Sequence, residues 1–201
     1  MNIIGIDPGL SGGLAHIDIS NGKLTYIDGI RMPVLQISTK AKAVNAVAIV
    51  EWFNKQHFDA IVLERVASMP GQGVASTFAF GRAMGGVEAL AQTMAHEHDC
   101  RVIYASPAVW KKAMGLSSNK QASMDMAAVT FGHNPLWQVK ANDGIAEAAL
   151  MAAWHYRQHA NIAAKKKRIK NGSGETMRKK GAKGAPTNKA FKQSAKTAKK
   201  K

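Results

Sequence analysis

Apolar residues run almost unbroken through Asn2-Ile3-Ile4-Gly5-Ile6 and stop at Asp7-Pro8-Gly9, the pattern of a short buried strand with a carboxylate where it meets a turn. The glycines that follow allow a second strand, roughly Gly13 to Ile19, to fold back beside the first. Lys23 to Met32 is rich enough in β-branched and aromatic residues for a third strand, which Pro33 ends. From Thr39 the period changes, and Ala43, Val44, Val47, Ile49, Val50 and Phe53 predict a helix with one apolar face. Phe58 to Glu64 is a nearly continuous apolar run, as in a central strand covered on both sides, and it too ends in a carboxylate.

A loop at 68–73 leads into a long predicted helix from Val74 to His98. Its small residues at positions 81, 85 and 89 form a flat stripe for close backbone approach, either packing on the sheet or forming a dimer seam. Arg101 to Ala105 predicts a fifth strand, and Ser106-Pro107 a helix start that runs to Met114. Another helix is expected from about Asn119 to Phe131, and a last one from Asn142 to His159, capped by Asn142 or Asp143, with Ile145, Ala149, Ala152 and Tyr156 facing inward. This order implies one α/β domain over 1–160, a mixed five-stranded sheet whose first three strands are antiparallel, with helices on both faces.

Composition changes the picture at one end. The 28 Lys+Arg against 13 Asp+Glu leave a net charge of +15 in 201 residues. Residues 161–201 hold 15 of those cations and one acid, Glu175, so that stretch carries +14 and the rest of the chain +1. Such a tail cannot bury enough apolar surface to fold, and is expected to be disordered when unbound. A polycation on a neutral body points to a polyanionic partner, and nucleic acid fits better than a membrane because the tail has few large apolar residues; the alternatives are a solubility tail or a nuclear address. The single Cys100 excludes an intramolecular disulfide framework and a cysteine zinc cluster. No export leader or membrane span is expected, which fits a reducing cytoplasm.

The candidate chemistry is acidic. Asp7 and Glu64 end two strands that are expected to be parallel neighbours, and Asp143 and Glu147 lie four apart on one helical face. Three or four converging carboxylates repel one another and are tolerable mainly around divalent cations, Mg²⁺ or Mn²⁺ given oxygen-only ligands. Two such ions, about 4 Å apart, suit phosphodiester hydrolysis. Taken singly, each acid has a plainer reading: Asp7 solvated at a hairpin turn, Glu64 paired with Arg65 or a nearby lysine, Asp143 a helix cap, Glu147 a solvated helix residue.

Ile4-Gly5-Ile6-Asp7-Pro8-Gly9, Val62-Leu63-Glu64-Arg65, Phe80-Gly81-Arg82, Trp110-Lys111-Lys112 with Gly115-Leu116 and Lys120, and Asp143 to Leu150 together resemble RuvC-type Holliday junction resolvases, closest to the RuvC-like branch of phages and prophages, over about Met1 to Trp154. The resemblance implies an RNase H-like fold, a homodimer, and Mg²⁺-dependent nicking of opposed strands at a four-way junction. It implies Asp7, Glu64, Asp143 and Glu147 as catalytic metal ligands for two ions. Lys112 and Lys120 are similar to basic positions near the scissile phosphate, and Arg65, Arg82 and Lys111 complete the DNA-binding candidates of the body. In the tail these are Lys165, Lys166, Lys167 and Arg168, on charge alone.

The chain departs from the family twice: the better-known cellular enzymes space the last two acids three apart, and an aromatic residue often follows the strand-end Glu where this chain has Ala67-Ser68-Met69. Junction opening then falls to Met69, Phe78 or another residue. Two other functions compete with a branched-DNA endonuclease. One is a non-catalytic branched-DNA-binding protein. The other is an actin-like or sugar-kinase-like ATPase, disfavoured because such proteins need a second phosphate hairpin and a duplicated domain.

Overall fold

The computed structural model describes residues 1–39, 41–67, 71, 73–117 and 119–170, with side chains as far as 164. Of the stretch 161–201 that is expected to be disordered, 171–201 lies outside these residues, as does Met69, whereas 161–170 is helical. The chain separates into a compact unit, Met1–Gln158, and a second unit that begins at His159.

The main sheet contains β1 (Asn2–Asp7), β2 (Gly13–Ser20), β3 (Lys23–Arg31), β6 (Ala60–Glu64) and β7 (Val102–Ala105), in the order β3-β2-β1-β6-β7. The first three strands are antiparallel; β6 and β7 continue the sheet parallel to β1. Side-chain alternation divides the core between two faces. Ile4, Ile6, Ile61 and Leu63 pack with α1 (Ala46–Phe53) and α2 (Val74–Glu97). Ile3 and Val62 pack on the other face, with α3 (Pro107–Ala113), α4 (Lys120–Phe131) and α5 (Asp143–Lys170). This is the mixed α/β architecture that the pattern predicted.

Between β3 and α1 the structure corrects the prediction. The helix expected from Thr39 does not begin there: β4 (Val34–Ser38) and β5 (Ala41–Val44) form a separate two-stranded hairpin. Its base is closed by the hydrogen bond from the Asn45 amide to the Pro33 carbonyl, 2.8 Å. Asn45 also caps α1, its side chain accepting from the Ala48 amide at 3.2 Å. Ala43 and Val44 therefore belong to a strand.

Helix α2 packs on the sheet through Ala83, Val87, Ala91, Met94 and Ala95. The stripe at Gly81, Gly85 and Ala89 points away from that face, and a methyl built on Gly81 or Gly85 would meet nothing within 4 Å. Packing on the sheet is thus not the reason for those small residues.

Two 3₁₀ turns, Pro135–Gln138 and Lys140–Asn142, precede α5 and were not foreseen. Asn142 is buried among them and donates its side-chain amide to the Leu136 carbonyl at 3.1 Å. Helix α5 continues to Lys170, beyond the predicted end at His159. Its first turns are buried nearly all round, from Ile145 and Ala146 through Ala148–Ala153, because it lies between the sheet and its neighbours α3 and α4. Among the described residues no helix is long and apolar enough to cross a membrane.

Candidate active site

Strand register places the first two acids together. Ile6 is paired with Leu63 across the parallel β1–β6 ladder, so Asp7 and Glu64 are the next residues on adjacent strands. By alternation Asp7 shares a face with Ile3 and Gly5, and Glu64 with Val62, so both carboxylates point to the α5 side. Pro8 and Gly9 turn the chain just beyond Asp7, and the Gly9 amide donates to its Oδ1 at 3.4 Å.

Backbone contacts bring the start of α5 to the same place. Gly12 and Gly144 form a parallel bridge. A methyl on Gly12 would overlap the Asp7 backbone, one on Gly144 would overlap Gly12, and one on Gly5 would overlap the Ala148 carbonyl. These glycines exist for close approach, and the approach sets Asp143 and Glu147, one turn apart, beside the strand-end acids.

Each acid has a distinct partner. Glu64 is buried and accepts a hydrogen bond from the Trp110 indole Nε1 at 2.8 Å, while Arg65 is exposed, so Glu64 is not an Arg65 partner. Glu147 Oε1 accepts from Lys111 Nζ at 2.8 Å and from the buried Ser123 hydroxyl at 3.0 Å. Asp143 is buried and ion-paired with Lys120. As these side chains stand, no three His, Cys, Asp or Glu among the described residues are grouped tightly enough to hold an ion, and two lysines each hold one carboxylate.

The charge balance remains negative. Burial pushes the Asp7 carboxyl up to about 7, and the charges of Glu64 and Glu147 push in the same direction. Burial raises Glu64 as well, opposed by the Trp110 hydrogen bond. The hydrogen bond to Asp143 raises Lys120, helped by the charges of Asp143, Glu147 and Asp7. All four predicted acids thus share one electrostatic neighbourhood.

Of the remaining predicted residues, none whose side chain is described is ion-paired with these four acids. Lys112 is exposed on α3 without an ion-pair partner among the described residues. Arg65 follows β6 close enough for its charge to act on Tyr104, Arg82 is exposed on α2, and Phe78 is 70% exposed near the start of that helix. Lys165, Lys166, Lys167 and Arg168 fall in the last part of α5, where only the backbone is described. Sequence reasoning missed Trp110 and Ser123 as groups that position Glu64 and Glu147. Nothing in the local pattern sets either apart from an ordinary core residue.

Trp110→Phe keeps most of the apolar volume and removes the donor to Glu64. Leaving that buried carboxylate without its donor is expected to cost about 1–3 kcal/mol, and to lower Tm by roughly 3–8 °C at pH 8. The loss should shrink at a lower pH, because burial raises this carboxyl and its protonated form needs the indole donor less. A loss of equal size at both pH values, read by thermal unfolding, would show that the indole acts only by packing.

The sheet order, the parallel β1–β6 pair and the helices on both faces make an RNase H-like α/β fold. Among solved structures, Thermus thermophilus RuvC in complex with a Holliday junction substrate is similar with a TM-score of 0.56 at 19% identity, over 79% of this chain and 96% of that one. A second T. thermophilus RuvC structure gives 0.55 at 19% identity, covering 79% and 97%. The yeast mitochondrial Holliday junction resolvase Ydc2 gives 0.59 at 14% identity, covering 84% and 83%. No family model and no curated protein sequence matches the chain.

Proposed function

We propose that this chain is a structure-selective endodeoxyribonuclease that resolves four-way DNA junctions by Mg²⁺-dependent phosphodiester hydrolysis. One observation carries the reading: Asp7 and Glu64 end adjacent parallel strands on the face where α5 delivers Asp143 and Glu147, and the cluster keeps a negative charge that its two lysines do not cancel. The fold of proteins described as junction resolvases supports it. Kinship with the phage and prophage branch rests on the sequence motifs alone.

The donor set fits a hard divalent cation. Every candidate ligand is a carboxylate oxygen, and an Asp7 carboxyl held up to about 7 by burial and then by the neighbouring charges of Glu64 and Glu147 marks a place where added positive charge is favourable. Asp7 and Glu64 would hold the ions, with Asp143 and Glu147 joining as Lys120 and Lys111 release them. Bound Mg²⁺ would supply activation of water and stabilisation of the leaving oxygen.

The chain's own residues do the rest. Trp110 fixes the Glu64 carboxylate, Ser123 fixes Glu147, and Lys111 and Lys120 become free to meet phosphates next to the cut strand. Lys112 and the basic residues after Ala160 add sequence-blind, salt-sensitive affinity. Two opposed nicks call for two sites and hence a homodimer, for which the exposed stripe of Gly81, Gly85 and Ala89 offers a flat surface.

Incubation with four-way, Y-shaped and linear DNA, with and without Mg²⁺, tests the reading. Paired symmetrical nicks with 5′-phosphate ends on the four-way substrate are expected, and intact junctions in Mg²⁺ and Mn²⁺ alike would sink it. The two lysine–carboxylate pairs favour one rival, a non-catalytic branched-DNA-binding protein in which they are permanent. Tight junction binding with no cleavage in the same assay would establish that rival.

A further inference from the structure

The β4–β5 hairpin leaves a cleft against α2, and nothing in the acid cluster uses it. Val44, Ala83 and Leu90 line it with apolar surface, Gly86 leaves it open, and Lys42 and Arg82 are its charged lining residues. Both cations are exposed, and neither forms an ion pair among the described residues. The segments 29–50 and 66–87 contain no Asp or Glu, and Glu88, the next acid along α2, accepts from the Tyr104 hydroxyl at 2.7 Å. Two unneutralised cations over an apolar floor suit an anion whose bulk extends past the cleft.

The hairpin's position says which anion. Asp7 is paired with Gly13, and Gly13 with Arg31, so the end of β3 lies two strands from Asp7, about 10 Å away at ordinary strand spacing. The hairpin opens directly after that end, its base closed by Pro33 and Asn45. The cleft therefore sits at the Asp7 end of the sheet, over the face opposite the acids.

We propose that the Lys42–Arg82 cleft holds the phosphodiester backbone of a DNA arm that passes over the end of the sheet from the cutting site. The hairpin is then a second anchor that fixes the arm's direction. This inference rests on the nuclease reading of the acid cluster.

Junction binding by the full chain, measured by fluorescence anisotropy from about 50 to 300 mM salt, tests it, with Asp7→Asn in every protein to keep the DNA intact. The double variant Lys42→Ala/Arg82→Ala should lower the slope of log K against log salt by about 1–2 and weaken binding about tenfold. Gly86→Leu keeps both charges but fills the cleft; with open space at that position, it should weaken binding without lowering Tm. Lys23→Ala, at the far end of β3, should leave slope and affinity unchanged.

Unchanged slope and affinity in both cleft variants, or an equal loss in Lys23→Ala, would overturn the proposal. So would a change of oligomeric state in sedimentation with the slope intact, which would make a second copy of this chain the occupant. Junction binding without Mg²⁺-dependent cutting by the unmutated chain sinks the nuclease reading while the slope still reports on the cleft. A chain that binds no DNA sinks both.

Discussion

Asp7→Asn is expected to abolish junction cleavage, by about 10³-fold or more, while leaving junction binding intact and making the metal-free protein more stable at pH 8. The stability gain follows from the direction of the shift. The carboxyl of Asp7 titrates near 7 in the folded chain against 3.8 ordinarily, so between those values the folded state binds the extra proton and the unfolded state does not. Stability from this group is therefore present at acid pH and is lost as pH rises toward 7. Between pH 5 and pH 8 the loss is on the order of 2–3 kcal/mol, or roughly 5–10 °C in Tm for a domain of this size. Asn cannot lose a proton, so the variant should show a flatter profile and overtake the parent at high pH. On the proposed reading Mg²⁺ would compete with that proton, so it should raise the parent's Tm at pH 8 more than at pH 5, with little effect on the variant. Full cleavage by Asp7→Asn would remove Asp7 from the chemistry, and parallel Tm profiles would remove the electrostatic account.

Gly5→Ala is the second large effect, from one methyl. At Gly5 the added carbon would overlap the Ala148 carbonyl, a backbone atom that cannot turn aside, so β1 and α5 must separate. Overpacking of this kind is expected to cost about 3 kcal/mol or more and to lower Tm by roughly 6–12 °C. Cleavage should fall further than stability explains, because Asp143 and Glu147 ride on the displaced helix. Gly85→Ala is the contrast: its methyl meets nothing within 4 Å, and in a helix the change should stabilise by up to about 1 kcal/mol. Equal Tm values for the two variants would refute the close-approach account.

Gly5 also marks where the sequence stops being legible. Within Ile4-Gly5-Ile6-Asp7 it reads as part of a strand leading to a turn, whereas its partner is Ala148, far along the chain, and no local period connects them. The strand-end acids were legible because apolar runs that stop at Asp7 and Glu64 say where strands end. The pair Asp143 and Glu147 was legible from helical spacing. Trp110 and Ser123 were not, since an indole or hydroxyl on a packed helix face looks like core until its partner is known. Ala43 and Val44 of the β4–β5 hairpin line up with Val47 of α1 to imitate one helical stripe. Asn45 followed by Ala-Val-Ala-Ile is the cap signal that would have moved the helix start. The predicted end of α5 weighed charge and burial; Ala163, Ala164 and the run of Lys and Arg after them have high helix propensity, which carries the helix to Lys170.

The bridge between Gly12 and Gly144 ties the first hairpin to a helix that the ribosome makes much later. Contacts of such long sequence separation are closed late in folding. A nascent chain that has exposed β1 through α4 holds Asp7 and Glu64 but lacks both acids of α5, so the four-carboxylate cluster cannot form during most of synthesis. In the finished protein the same tie works in reverse. Helix α5 cannot peel away without opening β1 and β2, so slow hydrogen exchange at the Gly12 and Gly144 amides and at the core of the sheet should be lost in one cooperative event.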